Sequence, residues 1–292
     1  MNPLAVVLVI LSAVMHALRT YYTKKGVDKQ AFVWLYEIFG LLFFTPIFII
    51  VLVREGGFSS GAIWFILLSG MVHFFYWYFL TNALDRGDLS LVYPITRSAP
   101  ALVLVFSLTI LKEDISFIGV IGILLVTLGV YTINMESMQI SQLAKPFQAL
   151  GKDRGIQFAF LTLFTVALYS LVDKIAVGRI NPVIFAYLFP WVTMVFFTGY
   201  LFKSKPQGAL KAEWAAHKKS IVACGFLSIF GYFLILLAFT MERLSYVVGL
   251  RQLSIVFAVL LGSRFLQETN RAIRLASSIV IFAGTFLIAM AD

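Results

Sequence analysis

Charged residues are scarce in this sequence, and cysteine is nearly absent. Asp, Glu, Lys and Arg together make up 13% of the chain, whereas 61% of it is hydrophobic, which excludes a soluble globular protein. The single cysteine, Cys224, excludes a disulfide within the chain. The three histidines lie far apart and the acidic residues inside apolar runs are single, so the sequence predicts no metal site and no cofactor.

Long apolar runs fill the chain instead. About 20 apolar residues are needed to cross the hydrocarbon of a bilayer as a helix. The first run has neither a basic leader nor a small-residue cleavage site, and we therefore interpret it as a span and not as a signal peptide. We predict an all-α integral membrane protein with ten transmembrane helices, near residues 3–21, 31–53, 62–84, 89–111, 116–134, 155–177, 182–202, 219–241, 245–266 and 271–291.

One half of the chain repeats the other. With an offset of 155, residues 90–134 align without a gap on residues 245–289, so that Glu113 falls on Glu268 and Gly129 on Gly284. Five helices in each repeat, an odd number, place the second repeat upside down relative to the first, as in inverted-repeat transporters. The predicted organisation is a first repeat over 1–134, an amphipathic linker over 135–154 and a second repeat over 155–292.

The basic residues are distributed unevenly between the connections. Short basic runs between helices do not form the contiguous patch that nucleic acid requires. The loops after helices one, three, five, seven and nine carry sixteen of the 23 Lys and Arg, and the other loops carry five. By the positive-inside rule, the sixteen face the cytoplasm and both termini lie outside. We include Arg19 and the basic segment 207–219 around Trp214 in this cytoplasmic set, and expect 207–219 to lie on the membrane surface.

Two arginines lie deep inside predicted helices. Arg97 lies about 12 Å into helix four and Arg251 about 9 Å into helix nine, at nearly equivalent positions of the two repeats. A guanidinium keeps its charge and fits carboxylate or phosphate, so both arginines are candidates to bind an anionic substrate. Snorkelling or clamping of backbone carbonyls is the structural alternative. Tyr93 shares a helix face with Arg97, and Pro94 and Pro100 predict a broken helix that borders a cavity.

Other titratable or aromatic residues inside the spans are further candidates. In helix three, His73, Tyr76, Trp77 and Leu80 form one stripe, which indicates either packing or the wall of a cavity. Helix six carries Tyr169 and Asp173 on one face, although Asp173 has the alternative of pairing with Lys174. Glu37, His16 and Asp173 are the candidates for proton coupling. For Glu37 the alternative is an ion pair with Lys24 or Lys29.

Several short motifs resemble those of the drug/metabolite transporter superfamily, in its ten-helix EamA-like branch. In the first repeat they are Asn82–Leu84, Leu89–Pro94, Pro100, Leu111–Glu113, Gly119 and Gly122, and in the second Leu266–Glu268 and Gly284. The resemblance covers essentially the whole chain. It implies alternating-access transport of small metabolites, usually export, through a central cavity between helices one to four and six to nine. Relatives keep both termini in the cytoplasm, opposite to the orientation that the charge count predicts.

These observations favour a secondary transporter in a bacterial inner membrane. The expected substrate is a small anionic or zwitterionic metabolite, bound by Arg97 and Arg251 with its organic part against the aromatic residues of helix three. No ATP-binding loop is present, so energy comes from a gradient, such as protons, or from exchange. The alternatives are a flippase for a lipid or lipid-linked sugar and a membrane-embedded transferase. The partners expected are the bilayer and the substrate, with the protein a monomer or a homodimer.

Overall fold

Helices account for nearly all of the described chain. The computed structural model describes residues 1–133, 135, 147–204, 208–265 and 271–291. In chain order the helices are α1 (Pro3–Lys25), α2 (Lys29–Glu55), α3 (Ser60–Arg86), α4 (Leu89–Arg97), α5 (Ala99–Thr109), α6 (Phe117–Thr132), α7 (Arg154–Val177), α8 (Pro182–Ser204), α9 (Ala209–Met241), α10 (Leu244–Leu250), α11 (Leu253–Phe265) and α12 (Arg271–Met290).

Polar caps explain where several of these helices begin. The Asp28 carboxylate accepts from the backbone N–H of Gln30 and Ala31 at the start of α2. Asp153 does the same for Ile156 at the start of α7. An N-cap side chain satisfies a backbone donor that the helix itself leaves free. The predicted linker 135–154 ends at this cap, whereas its residues 136–146 lie outside the described residues.

By length and composition, eight helical stretches in the described part of the chain could cross a membrane. They include the stretch Leu91–Thr109, which joins α4 and α5 across a break. Two further apolar stretches, Phe117–Thr132 and Leu244–Leu260, are shorter than 18 residues. The chain is therefore a multi-pass membrane protein. Each of the ten predicted helices overlaps one of these ten stretches, with boundaries that differ mostly by one to four residues, and eight of the stretches are long enough to span.

The predicted fourth helix is broken directly after Arg97. Pro100 has no backbone N–H for the carbonyl of Thr96, so a regular helix cannot pass this point. Ser98 leaves the helical ladder: its N–H bonds to the Ile95 carbonyl at 3.1 Å and its hydroxyl to the Pro94 carbonyl at 2.6 Å. The break predicted from the two prolines is therefore present, and it leaves Arg97 at the end of α4.

The predicted ninth helix is broken at the corresponding place. Arg251 and Gln252 separate α10 from α11, and the Gln252 N–H bonds to the Gly249 carbonyl at 3.1 Å. The Gln252 side-chain amide donates to the Val248 carbonyl at 3.2 Å, satisfying an acceptor near the break. There is no proline here, which is why the sequence predicted one continuous helix over 245–266. Arg97 and Arg251 therefore each lie where a helix is interrupted.

Helices α6 and α12, the last of each repeat, pack closely and antiparallel. A Cβ on Gly122 would lie 2.8 Å from the carbonyl oxygen of Gly284, and one on Gly284 would lie 2.7 Å from that of Gly122. Further along α6, after Gly122, the Thr132 hydroxyl forms a hydrogen bond with the Ser277 hydroxyl. Because Ser277 precedes Gly284 in α12, the two helices run in opposite directions. Small residues let membrane helices approach until their backbones touch. These two glycines are thus required by the contact.

Helix α9 begins about ten residues earlier than predicted. The segment 207–219 was expected to lie on the membrane surface. Its described residues before His217 form a helical piece, and His217, which has non-helical backbone angles, separates this piece from the rest of Ala209–Met241. Trp214 stacks on Phe39 of α2 with ring centres 5.0 Å apart. Glu213 is 2% exposed and accepts from the Asp28 N–H at 2.8 Å. The apolar face of this amphipathic segment packs on the protein at Phe39, and its position at the membrane surface stays a prediction.

Candidate functional site

A cavity of about 190 Å³ lies between the two halves of the chain. Drug-sized ligands occupy pockets of about 300–1,000 Å³, so this space suits a smaller metabolite. Every substrate-binding residue predicted from the sequence lines it, as do two of the three proton-coupling candidates: Arg97, Tyr93, His73, Tyr76, Trp77, Arg251, Tyr169, Glu37 and His16. Asp173 lies just behind the cavity wall, with its carboxylate hydrogen-bonded to lining residue Tyr232.

Arg97 enters the cavity from the end of α4. Its side chain is partly buried, and it makes no hydrogen bond or ion pair with any residue that the structure describes. An arginine that clamps backbone carbonyls would show such bonds. Because a guanidinium keeps its charge, Arg97 brings a cation with five hydrogen-bond donors to the cavity lining.

Arg251 reaches the cavity from the break between α10 and α11. Its guanidinium carbon lies 5.2 Å from the centre of the Tyr232 ring, which is a cation–π contact. Among the described residues it has no acidic partner. Arg97 and Arg251 line the same cavity as Tyr169 and His16, which places the two charges around one space.

A third arginine, Arg19, is held in a closed polar network. It donates to the Ser228 hydroxyl at 2.7 Å, and Ser228 donates to the Glu37 carboxylate at 2.9 Å. The other guanidinium nitrogen lies 2.9 Å from His16 Nδ1, which must accept because arginine only donates. Glu37 therefore balances Arg19 across Ser228, in place of the predicted ion pair with Lys24 or Lys29.

This position of Arg19 corrects the sequence interpretation. Arg19 was counted with the basic residues of the first loop, but α1 extends to Lys25 and Arg19 lines the cavity. Its spacing of three residues from His16 placed both side chains on one helix face, and that was the available signal. Ser228 and Tyr232 were missed altogether, because a serine or tyrosine inside an apolar helix carries no signal of its own.

Aromatic rings form one side of the cavity. The His73 ring stacks on Tyr169 with ring centres 4.2 Å apart, and Tyr76 meets Tyr169 edge-on at 5.7 Å. Trp77 contacts Tyr76 at 5.3 Å. The helix-three stripe thus both packs against α7 and faces the cavity, so the two alternatives drawn from the sequence hold together.

Asp173 is fully buried beside this aromatic wall. The Ser69 hydroxyl donates to its Oδ1 at 2.6 Å, and the Tyr232 hydroxyl donates to its Oδ2. His73 Nε2 lies 3.7 Å from the same Oδ2. Lys174 points elsewhere, donating to the carbonyls of Phe239 and Glu242 at 2.6 Å each. The pairing of Asp173 with Lys174 considered from the sequence does not occur.

The fold and the cavity define a helical membrane transporter, and comparison with known proteins agrees. A sequence model of the EamA-like transporter family matches residues 3–135 and again residues 153–290. The chain belongs to this family, within the drug/metabolite transporter superfamily. No curated protein matches the sequence.

Solved structures support the fold. Of the 27 solved chains that match, one described only as a crystal structure of a protein covers 98% of this chain and 97% of its own, with a TM-score of 0.70 and 14% identity. At this identity the likeness concerns the fold alone.

Proposed function

We propose that this protein is a secondary transporter for a small metabolite with an anionic group, with the two arginines at the helix breaks as its binding site. The observation that carries the proposal is the contrast between the three cavity arginines. Arg19 is balanced by Glu37 through Ser228, whereas Arg97 and Arg251 have no acidic partner among the described residues. Two cations that no described acidic side chain contacts, in a partly buried space, attract an anion. A zwitterion is included where its anionic group binds these arginines.

The proposed mechanism is alternating access by two inverted repeats of five spans each, over 1–134 and 155–292 with the linker 135–154 between them. It is supported by the antiparallel contact of α6 with α12. Gly129 lies against Ile281 and Ser277, and Gly122 against Gly284 and Ile288. Repeat-equivalent helices that run antiparallel are related by an axis across the helices, as inversion requires. The matching breaks after Arg97 and at Arg251 give both repeats a hinge at the site.

Transport of a water-soluble metabolite is favoured over the flippase and transferase alternatives. A cavity of about 190 Å³ lined by several charged side chains suits a compact polar solute better than a lipid chain. Export, from the family resemblance, and a location in the bacterial inner membrane are part of the proposal. So are protons as the coupling ion and a monomeric or homodimeric assembly.

The test is a thermal-shift panel on the purified protein with organic acids, phosphonates, amino acids and uncharged nucleosides. An anion at 100 times its Kd should raise stability by about 2.7 kcal/mol, whereas nucleosides should have no effect. Arg97→Lys keeps the charge but loses the forked donors, so it should weaken binding, and Arg97→Gln should abolish the shift. Arg54→Gln, at an exposed arginine of α2, is the matched control and should leave the shift intact. Unchanged affinity in Arg97→Gln together with a lower melting temperature would show that Arg97 is structural.

A further inference from the structure

Among the residues that the structure describes, no lysine or arginine contacts the buried Asp173 carboxylate. It is 0% exposed, and its two oxygens accept from the hydroxyls of Ser69 and Tyr232. Two neutral donors reduce the cost of burying a carboxylate, but they do not balance its charge. A carboxylate in this position needs either a proton or a neighbouring positive charge.

His73 is oriented so that a basic nitrogen faces this carboxylate. Its Nδ1 lies 2.9 Å from the Ser69 carbonyl oxygen, and because a carbonyl only accepts, Nδ1 carries a hydrogen. The other nitrogen, Nε2, lies 3.7 Å from Asp173 Oδ2. In a neutral imidazole this Nε2 holds a lone pair, which repels a carboxylate oxygen. One proton on Nε2 or on Oδ2 turns this repulsion into an ion pair or a hydrogen bond.

The groups around this pair leave Arg251 as the positive charge that acts on it. From α3 the pair meets Ser69, from α7 Tyr169, from α9 Tyr232, and from α8 the uncharged ring of Phe189. Lys174, next in sequence, is engaged by two backbone carbonyls. Arg251 reaches the pair through Tyr232: its guanidinium carbon lies 5.2 Å from the centre of the Tyr232 ring, and the hydroxyl of that ring donates to Asp173.

We propose that His73 and Asp173 together form a proton-binding site whose occupancy is coupled to the anion at Arg251. With the cavity empty, Arg251 compensates the Asp173 carboxylate through Tyr232. When an anion binds Arg251, that compensation is lost. The pair then takes up one proton from the bulk solution and holds it between His73 Nε2 and Asp173 Oδ2. No other bond forms or breaks. Anion and proton therefore bind together.

This sign of coupling predicts proton–anion symport. By linkage, an anion that favours protonation is itself bound more tightly when the proton is present. Under an inward proton gradient, symport drives uptake, so this sign of coupling replaces proton-driven export in the proposed function, and export then runs only down the substrate's own gradient. The coupling rests on the proposed function, whereas the proton site does not, and the two are tested separately.

The proton site is tested by acid–base titration of the purified full-length protein without any anion. Between about pH 5 and 8, the wild type should bind one proton that Asp173→Asn does not bind. Asp85→Asn, at an exposed acid of α3, is the matched control and should keep that proton. Identical titration curves for the wild type and Asp173→Asn would overturn the proposal. If Asp173→Asn does not fold, His73→Gln replaces it, and an unchanged titration midpoint in that variant has the same consequence.

The coupling is tested with succinate and methylphosphonate added to weakly buffered protein. Binding of either anion should make the wild-type solution more alkaline by one proton per anion bound, and Asp173→Asn should bind the anion with no proton uptake. Binding without proton uptake in the wild type would overturn the coupling and leave the anion site standing. If neither these probes nor the wider panel bind, the proposed function fails, and the titration alone decides the proton site.

Discussion

Arg251 lies over the ring of Tyr232, with the guanidinium carbon 5.2 Å from the ring centre, while the Tyr232 hydroxyl donates to Asp173. One side chain thus contacts a cavity cation through its ring and a buried carboxylate through its hydroxyl. The contact joins α9 to the break between α10 and α11, so it connects the candidate binding site to the candidate proton site.

Substitutions of Tyr232 should separate these two contacts. Tyr232→Phe keeps the ring under Arg251 and should retain anion affinity, but it removes a donor to Asp173 and should shift the pH midpoint of proton binding. Tyr232→Leu removes the ring, and loss of a desolvated cation–π contact of about 2 kcal/mol corresponds to roughly a 30-fold weaker affinity. Isothermal titration calorimetry with the anions of the panel measures both. Equal affinity in the Phe and Leu variants would show that the ring does not hold Arg251.

Much of the fold follows from the sequence because the bilayer constrains it. Apolar runs long enough to cross it predict the helices, and the prolines around Arg97 predict the first break. The break at Arg251 was missed because Gly249 and Gln252 shape it through hydrogen bonds that no single residue type signals. The long-range pairing of Tyr232 with Asp173 was likewise not predictable, since it depends on how α7 and α9 meet.

The depth of the titratable residues was a good guide to the cavity, but counting charges by loop was a poor one. Arg19 lies six residues before the end of α1. The charge count grouped it with the basic residues of the first loop and so assigned it to water. In the structure it faces inward because Ser228 and Glu37 offer it partners on α9 and α2. Burial of a charge is decided by such partners, which belong to other segments of the chain.

The glycine contact between the repeats should be sensitive to a single methyl group. Gly122→Ala places a Cβ 2.8 Å from the Gly284 carbonyl oxygen, and overpacking of this kind costs about 1–3 kcal/mol. The matched control is Gly199→Ala in α8, where a Cβ would meet nothing within 4 Å, so that this variant should be neutral or slightly stabilising. Melting temperatures in one detergent measure the difference. Equal melting temperatures for both variants would contradict the close approach.

The orientation of the protein in the membrane should follow the basic residues of the loops, which predict that both termini lie outside. A reporter active only in the cytoplasm should give signal when inserted at Gly208, an exposed position with φ of 100° before α9, and none when fused after Asp292. A second reporter, active only outside, controls for expression and should give the reverse. Signal from the cytoplasmic reporter at Asp292 alone would show that the orientation of the relatives applies and that the charge count misleads.

Glu37→Gln should distinguish the two acids that are candidates for proton coupling. Glu37 accepts from Ser228 and balances Arg19. Its removal therefore leaves Arg19, like Arg97 and Arg251, as a cavity arginine without a neighbouring carboxylate. We expect anions to bind more tightly in this variant, with one proton still taken up per anion, because His73 and Asp173 are untouched. Calorimetry in two buffers of different ionisation enthalpy measures both quantities in one preparation. Loss of proton uptake in Glu37→Gln, with uptake preserved in Asp173→Asn, would instead make Glu37 the coupling carboxylate.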